Sequence, residues 1–415
     1  MSIALGVVAD DLTGACDVAA GLATAGLDVD VLLGVPGAQE PPTGDVAIVA
    51  LKSRTAPTAE AVGDSTAAAR ALRRWGAERL YQKYCSTFDS TRTGNIGPVA
   101  DAFGDLGVGP TIGTPATPTV GRSMYDGHLF VDGRLLSESP LAQHPLTPMR
   151  DPDLVRVLGR QTDRPVALVR YSVVRNGAVA IAEALRSAEQ QGAGHVLVDA
   201  LDDEDLDALA AALDSRPGAA LGGAAGLAAA LGRRLSRPAS RDVQPPPEGR
   251  CLILVGSASQ RTARQLAAYG GPTFAFRAID AISAADETAD AAIEAIRDLE
   301  HPLVAAQASP DEVAEAQRRF GVAESAAAIE RLLARIASRA VADLGVRRVL
   351  VAGGETSGAV ITALGVSRLR VRRVVDPGVP WMSAEDRGGR SLDLCLKSGN
   401  FGSDELFLRA WEEVP

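Results

Sequence analysis

Residues 1–26 read MSIALGVVADDLTGACDVAAGLATAG, and they set a pattern that most of the chain repeats. An apolar strand over residues 3–9 runs into two acidic residues, and a helix follows over 14–26. Further predicted strands and helices alternate in the same way at residues 28–33, 45–50, 58–75, 78–84, 177–190, 195–199 and 203–214. Strands that alternate with helices form parallel sheets covered on both faces. The opening stretch therefore predicts an α/β fold.

A proline-rich stretch divides the chain into two parts. Residues 236–250, SRPASRDVQPPPEGR, are charged and lack apolar periodicity, so they predict a linker. Alternation resumes beyond it, and residues 347–364, RRVLVAGGETSGAVITAL, are typical of a strand, a glycine turn and a helix. A chain of 415 residues is too long for one ordinary core. We therefore predict two three-layer α/β domains with mainly parallel sheets, at residues 1–240 and 250–415.

Residues 111–150 interrupt the alternation. They are rich in Pro, Gly and other turn residues, and GHLFVDGRLL predicts a hairpin that turns at Asp132 and Gly133. Long irregular stretches in compact domains are more often functional than idle. We expect this segment to be irregular and to contribute to a site.

Composition narrows the classes of function. The net charge of -10 and the lack of a basic stripe argue against nucleic acid, and no window of 18 uncharged apolar residues predicts a membrane span. The four cysteines form no C-x-x-C pair and the four histidines are scattered, which argues against structural zinc and favours reduced thiols. The first residues lack the basic region of a signal peptide. We expect a cytoplasmic globular protein, and the sequence leaves a monomer or a homo-oligomer open.

Lysine is scarce in this chain. Of the 42 Lys and Arg residues, only Lys52, Lys83 and Lys397 are lysines, and each lies in a polar cluster rich in small residues. An ammonium is a compact point charge, which suits contact with one phosphate or carboxylate oxygen in a narrow hollow. The alternative is that the three are ordinary surface lysines. The clusters predict contacts with anions.

Two clusters in the first half predict a site for a polar substrate. Asp10 and Asp11 follow the first strand, where carboxylates can act as a general base or ligate a metal or hydroxyl, although one of them could simply cap the helix. Residues 83–97, KYCSTFDSTRTGNIG, concentrate donors and acceptors that suit a polyhydroxylated substrate. The alternative there is a solvated loop in which Asn95 caps the next helix. Arg54 either grips a carboxylate through two parallel hydrogen bonds or is a plain surface arginine.

Three glycine-containing turns in the second half indicate a nucleotide. GSAS at 256–259, GGETSG at 353–358 and KSGNFG at 397–402 follow strands, and two of them open helices. Backbone amides at helix N-termini favour phosphate, although glycine is common in such turns for steric reasons alone. The P-loop, protein-kinase and dinucleotide signatures do not occur in the sequence.

These motifs together resemble the four-carbon acid sugar kinase family over nearly the whole chain. The resemblance rests on ADDLTGACDVA at 9–19, DSTRTGNIG at 89–97, residues 121–149, GSAS at 256–259, AGGETSGAV at 352–360, DPGVPW at 376–381 and LKSGNFG at 396–402. It implies ATP-dependent phosphorylation of the C4 hydroxyl of a sugar acid. The form YCSTFDST implies a 3-oxo-tetronate as substrate, because threonate and erythronate kinases tend to carry a lysine pair where Ser86 and Thr87 stand here. A D-threonate or D-erythronate kinase and a non-catalytic sugar-acid sensor are the alternatives.

The resemblance also implies roles for individual residues. The first domain holds the acid and the second holds ATP, with the active site in the cleft between them and closure through the linker. The implied ATP contacts are Ser257, Gly353, Gly354, Glu355, Thr356, Lys397 and Gly399. The implied substrate side is Arg54 on the carboxylate, with Lys83, Ser90 and Asn95, and with Asp10, Asp11 or Asp89 as the group that accepts the hydroxyl proton. Mg²⁺ is expected with the phosphates, and no residue is assigned as its ligand.

Overall fold

A computed structural model describes residues 3–37, 40–143, 147–236, 245–307 and 318–412. The chain divides into two compact units, Met1–Arg241 and Asp242–Pro415. Residues 237–244 of the predicted linker lie outside the described residues, as do residues 144–146 of the segment 121–149 that contributes to the resemblance.

The first unit is built on a parallel sheet. Its strands are β1 (Leu5–Ala9), β2 (Val29–Leu33), β3 (Val46–Ala50), β4 (Arg79–Lys83), β5 (Thr111–Thr114), β9 (Val166–Val169), β10 (His195–Val198) and β11 (Leu221–Gly223). They pair in the order β2-β3-β1-β4-β11-β5-β10-β9, and every pairing is parallel. Every residue of β1 and β3 is buried, because helices cover both faces of the sheet.

Two groups of helices cover this sheet. The helices are α1 (Leu12–Thr24), α2 (Thr58–Arg74), α3 (Ile96–Gly104), α4 (Leu154–Gly159), α5 (Tyr171–Val174), α6 (Ala178–Gln190), α7 (Asp203–Ala212) and α8 (Ala225–Leu235). Helices α1, α8, α7 and α6 pack against one another in series, whereas α2 and α3 pack together and share a core with the strands through Leu72 and Phe103. The predicted layered α/β arrangement is confirmed in this unit.

A small antiparallel sheet stands apart from the main one. Strands β6 (Arg122–Tyr125), β7 (His128–Val131) and β8 (Arg134–Leu135) form it, and β7 pairs with β8 through Val131 and Arg134. The turn residues Asp132 and Gly133 have φ angles of 50° and 78°, as a tight two-residue hairpin turn requires. The predicted hairpin is therefore confirmed.

The second unit contains a mixed sheet. Its strands are β12 (Arg250–Val255), β13 (Thr273–Phe276), β14 (Leu303–Ala306), β15 (Val346–Ala352), β16 (Arg368–Asp376), β17 (Val379–Glu385) and β18 (Ser391–Lys397). Strands pair in parallel in the order β13-β14-β12-β15-β18, and β17 and β16 then add in antiparallel fashion. Because most pairings are parallel, the prediction of a mainly parallel sheet is confirmed here too.

Helices again lie on both faces of the second sheet. They are α9 (Gln260–Tyr269), α10 (Ala278–Ser283), α11 (Ala285–Ile296), α12 (Val322–Asp343), α13 (Gly354–Leu364) and α14 (Leu406–Arg409). Helices α10, α11 and α13 pack on the long helix α12, whereas α9 packs with α14. Tyr269, Phe407 and the fully buried Trp381 belong to one apolar core with the strands.

The structure corrects part of the predicted segmentation. Residues 111–150 are not irregular throughout, because Thr111–Thr114 form the buried strand β5. Strand β11 is Leu-Gly-Gly, and a Cβ atom on Gly113 would lie 2.0 Å from the carbonyl oxygen of Gly222. The two strands approach so closely that glycine is required there, and glycine is a poor sequence signal for a strand.

Candidate functional site

Three loops of the first unit meet at the carboxyl ends of β1, β3 and β4. The backbone amide of Asp10 donates to the Lys83 carbonyl at 3.1 Å, and the amide of Ser53 donates to the Asp10 carbonyl at 3.0 Å. These bonds fix the loop after β1 to the ends of the neighbouring strands. Parallel strands bring their following loops to one edge of the sheet, which is where such folds bind ligands.

An ion pair joins Arg54 to the two predicted aspartates. The guanidinium donates from Nε to Asp10 Oδ2 and from Nη2 to Asp10 Oδ1, each at 2.9 Å. Its third nitrogen, Nη1, lies 2.9 Å from Asp11 Oδ2. Burial disfavours the charged guanidinium, but the two aspartates together with Cys85 outweigh it and raise the pKa of Arg54 above its ordinary value. Arg54 is therefore a charged residue with three of its five N–H groups turned to protein carboxylates.

Asp11 has a structural task in addition. Its Oδ1 accepts a 2.6 Å hydrogen bond from the amide of Gly14 and caps α1, while Oδ2 accepts one from the Thr13 hydroxyl. Burial would raise the pKa of Asp11, but the charges of Arg54 and Lys83 outweigh it, and the pKa is lowered. Asp11 is thus the aspartate that caps the helix, as the alternative interpretation expected. Its lowered pKa makes it a weak proton acceptor.

Lys83 is buried beside this group. Its side chain is 2% exposed, and Nζ donates to the Tyr84 carbonyl at 2.8 Å. A Cβ atom on Gly14 would lie 3.1 Å from this Nζ and 2.5 Å from Asp11 Oδ1. Because residue 14 is a glycine, there is space beside it for the Lys83 ammonium and the Asp11 carboxylate. Lys52, in contrast, is exposed.

Most of the predicted substrate residues line one small pocket, which we call the Lys83 pocket. Its polar lining consists of Asp10, Ser53, Arg54, Ser65, Gln82, Lys83, Asp89, Ser90 and Asn95. Within the described part of the chain, Asp89 Oδ1 is buried and has no hydrogen-bond partner. A buried carboxylate oxygen without a donor is costly unless a ligand supplies one. Asp11 is the one predicted residue of this group that is absent from the lining.

Asn95 supports the loop that carries Arg54. Its Nδ2 donates to the carbonyls of Ser53 at 2.7 Å and Ala56 at 2.8 Å. Asn95 occupies the N-cap position of α3, but its side chain makes no capping hydrogen bond and bonds to the Arg54 loop instead. Asn95 Oδ1 is buried and finds no partner among the described residues.

Asp17 lies near the charged residues of the pocket, and the sequence analysis did not predict it as a site residue. It lies on α1 and is 8% exposed. Burial raises its pKa to about 6, against the opposing charge of Lys83 and with the support of Asp11. The available signal was an acidic residue within the otherwise apolar stretch ACDVAAGLA at 15–23.

Three turns of the second unit converge in the same way. The amides of Gly256 and Ser257 both donate to the Ala352 carbonyl at 3.1 Å, and the amide of Gly353 donates to the Lys397 carbonyl at 3.0 Å. A Cβ atom on Gly256 would lie 2.1 Å from Thr356 Oγ1. The turns therefore pack directly on one another at the carboxyl ends of β12, β15 and β18. We call this group, at residues 256–259, 353–357 and 397–399, the glycine cradle.

A hydroxyl cluster surrounds Lys397 in the cradle. Lys397 is fully buried, and Nζ donates to Thr262 Oγ1 at 3.1 Å and to the carbonyls of Ser398 and Gly399 at 3.1 and 3.2 Å. Ser259 Oγ also donates to the Gly399 carbonyl, at 2.6 Å. Burial lowers the pKa of Lys397 to about 8. The structure thus brings Ser257, Gly353, Gly354, Thr356, Lys397 and Gly399 together, whereas Glu355 is exposed at the start of α13.

The described residues contain neither a cluster of metal ligands nor a membrane-spanning helix. No group of three or more His, Cys, Asp and Glu side chains there could hold a metal ion. None of their helices is both long and apolar enough to cross a bilayer. The expected cytoplasmic location, the expected oligomeric state and the expected cleft between the domains stay predictions.

Comparison with known proteins gives each unit a counterpart. Residues 5–231 match the model of a sugar-binding N-terminal domain, and residues 252–407 match that of a nucleotide-binding C-terminal domain. The fold and both groups of residues thus define a two-domain α/β protein of the kind that pairs a sugar-binding with a nucleotide-binding domain.

Full-length relatives narrow this class. A 3-oxo-tetronate kinase of Burkholderia multivorans is 44% identical, with 98% of this chain and 96% of the relative covered. A 3-oxo-tetronate kinase of Methylobacterium radiotolerans is 44% identical, with 99% of both chains covered. The crystal structure of a Salmonella typhimurium protein provisionally named a tRNA synthase superposes with a TM-score of 0.88 at 36% identity over 98% of both chains. The chain belongs to the four-carbon acid sugar kinase family.

Proposed function

We propose that the protein is an ATP-dependent kinase that phosphorylates the C4 hydroxyl of 3-oxo-tetronate. The relatives of that name, 44% identical over nearly the whole chain, support the substrate. The observation that carries the chemistry is the Lys83 pocket, which is lined by the Lys83 ammonium and by a carboxylate oxygen of Asp89 that has no hydrogen-bond partner among the described residues. A sugar hydroxyl can donate to that oxygen. We propose residues 1–240 as the acid-binding domain and residues 250–415 as the nucleotide-binding domain.

Asp89 is the proposed proton acceptor for this reaction. The C4 oxygen attacks the γ-phosphorus of ATP, its proton passes to a carboxylate, and the bond from the γ-phosphorus to the bridging oxygen breaks to release ADP. Asp11 is occupied as a helix cap, and Asp10 accepts two hydrogen bonds from Arg54. Asp89 Oδ1, in contrast, has no donor among the described residues. This difference is why, of the three expected candidates, we propose Asp89 as the proton acceptor.

The glycine cradle is the proposed phosphate site. Its turns open α9 and α13, whose N-terminal amides favour negative charge. The buried Lys397 adds a charge that phosphoryl transfer needs, because negative charge spreads over the transferred group. Ser257, Gly353, Gly354, Thr356 and Gly399 line this cradle and are proposed as nucleotide contacts.

Mg²⁺ is proposed to accompany the nucleotide. It usually keeps several waters and binds through one or two carboxylates with the phosphates, so it does not need a protein cage. Glu355, an exposed carboxylate at the start of α13, stays a proposed nucleotide contact, and no residue is proposed as a ligand of the ion. The ion supplies neutralisation of phosphate charge. Transfer also requires the acid and the nucleotide to meet, and the expected closure through residues 236–250 stays a prediction.

A panel of four-carbon acids tests the proposal. Release of ADP is measured with 3-oxo-tetronate, D-threonate and D-erythronate at equal concentration, and phosphorus NMR locates the phosphate on the product. We expect the highest kcat/KM with 3-oxo-tetronate and a 4-phosphate product. A higher value for D-threonate or D-erythronate would move the substrate to that acid. A protein that neither turns over nor binds an ATP analogue with Mg²⁺ in calorimetry would instead be a sensor.

A further inference from the structure

We propose that Arg92 and Arg150 bind the carboxylate of the sugar acid, in a pocket next to the Lys83 pocket. This inference rests on the proposed function. It assigns the carboxylate to a different place from the one expected for Arg54.

Several arginine side chains line the second pocket. Its polar lining consists of Ser90, Thr91, Arg92, Arg150, Asp151 and Arg160, over a floor of buried apolar side chains. Arg160 donates to Asp151 Oδ2 at 3.0 Å, so its charge is compensated. Among the described residues, Arg92 and Arg150 have neither a hydrogen bond nor an ion pair, and both are exposed. We call this space the Arg92 pocket.

The balance of charge decides between the two pockets. The carboxylates of Asp10 and Asp89 balance the cations of Arg54 and Lys83 in the Lys83 pocket, and Asp11 adds a further negative charge through its contact with Arg54. A substrate carboxylate placed there would join a group that is already net negative. The Arg92 pocket carries three guanidinium groups and one carboxylate, so it is net positive. Opposite charge within a few ångström favours the ionised form of a bound acid.

The hydrogen-bond donors of the arginines also favour the Arg92 pocket as the carboxylate site. Arg54 already directs two parallel hydrogen bonds at the Asp10 carboxylate, which is the arrangement a substrate carboxylate would otherwise take. Arg54 is therefore a positioning residue that holds the loop after β1. No described residue occupies the donors of Arg92 and Arg150, and the hydroxyls of Ser90 and Thr91 belong to the same lining.

The two pockets share part of their lining. Phe88 and Ser90 line the Arg92 pocket, and Ser90 also lines the Lys83 pocket. Phe88 has a φ angle of 51° although it is not glycine, and this uncommon conformation turns the chain directly before Asp89. The loop thus presents Asp89 to one pocket and Arg92 to the other. The C4 hydroxyl can lie at Asp89 while the carboxylate lies at Arg92.

A neutral analogue of the substrate tests this placement. In erythrulose a CH₂OH group replaces the carboxylate, and the hydroxyketone end is unchanged. In the Arg92→Gln/Arg150→Gln double variant we expect kcat/KM for the acid to fall about ten- to a hundredfold, because charged hydrogen bonds are lost. We expect kcat/KM for erythrulose, and KM for ATP, to stay unchanged. Arg186→Gln, at an exposed arginine on α6, removes one like charge away from the pockets and should leave every constant unchanged.

Four outcomes separate this inference from the proposed function. An unchanged preference for the acid over erythrulose in the double variant would overturn the assignment. So would an Arg54→Gln variant whose loss is confined to the acid, since a positioning role predicts equal losses with both substrates. Calorimetry of the acid alone reports on the arginines even without turnover, and weaker binding to the double variant supports the assignment. A wild-type protein that phosphorylates no acid would reject the proposed function only.

Discussion

The Arg54 guanidinium donates two parallel hydrogen bonds to the Asp10 carboxylate, with Nε–Oδ2 and Nη2–Oδ1 distances that are both 2.9 Å. Arg54 follows β3 and Asp10 follows β1, so this pair joins two loops that are 44 residues apart in the chain. Their side chains are 23% and 16% exposed, which leaves the pair only partly screened by water. The pair therefore holds the edge of the Lys83 pocket in shape.

Removing one partner of this pair should cost stability. We expect Asp10→Asn to lower the free energy of unfolding by about 2 kcal/mol, because charged hydrogen bonds contribute about 1.5–3 kcal/mol each and the neutral amide keeps part of the geometry. Urea denaturation measures the change. In a double-mutant cycle, Asp10→Asn/Arg54→Gln should cost less than the sum of the single changes. Simple additivity would show that the pair is not coupled.

Replacement of Asp89 should affect the reaction far more than the fold. Asp89→Asn removes the proposed proton acceptor, so we expect kcat to fall about 10²- to 10⁴-fold with KM for ATP nearly unchanged. Its Oδ1 has no partner to lose among the described residues, so the melting temperature should stay the same. Coupled ADP release and thermal unfolding measure the two effects. Asp64→Asn, at an exposed position on α2, is the matched control.

Asp11→Asn gives the decisive comparison for the proton acceptor. Asn is as good a helix cap as Asp, so the capping bond to Gly14 can persist. The pKa of Asp11 is lowered, although burial opposes the change, chiefly because Arg54 and Lys83 stabilise the anion. We therefore expect a smaller loss of kcat than in Asp89→Asn. A larger loss would transfer the proton-accepting role to Asp11.

The sequence predicted the layered fold well because long apolar strands and amphipathic helices carry their own periodicity. Strand β1 and helix α2 lie within two residues of their expected bounds. Strand β11 and helix α8 were missed, since Leu-Gly-Gly has no strand propensity and the Gly-rich stretch 222–226 looks like a turn. Only the close approach of the neighbouring strand gives Gly222 its role.

The sequence predicted which residues belong to the candidate site, but not which of them form hydrogen bonds with one another. Polar residues after strands indicated the side chains that the structure brings together in the Lys83 pocket and the glycine cradle. The sequence could not show that Arg54 would turn to Asp10, or that Asn95 would support the Arg54 loop instead of capping α3. These choices depend on which donors and acceptors the folded chain brings within reach, and spacing along the chain does not contain that information.

Tight packing in the glycine cradle gives a steric test. In Gly256→Ala the new methyl group would lie 2.1 Å from Thr356 Oγ1, so the turns at 256–259 and 353–357 must separate. We expect Kd for an ATP analogue to rise at least about tenfold, as a displacement of binding groups costs about 1.4 kcal/mol or more. Calorimetry measures it. Gly63→Ala makes the same change on the exposed face of α2, where nothing lies within 4 Å, and should instead stabilise the protein by up to about 1 kcal/mol. Equal ATP affinity in wild type and Gly256→Ala would show that the cradle does not bind the nucleotide.

Nucleotide binding should weaken as the pH rises through the pKa of Lys397. Burial lowers this pKa to about 8 in the free protein, and bound phosphates favour the charged form. Above about pH 8 the free protein has lost the proton that the complex keeps, so binding takes up a proton and the affinity falls by up to about tenfold per pH unit. Calorimetry with an ATP analogue from pH 7.5 to about 9.5 measures the slope. In Lys397→Arg the guanidinium stays charged throughout, so affinity should be nearly independent of pH even if it is weaker overall. A wild-type profile as flat as that of Lys397→Arg would place Lys397 away from the phosphates, because an ammonium in contact with them must change its proton occupancy when they bind.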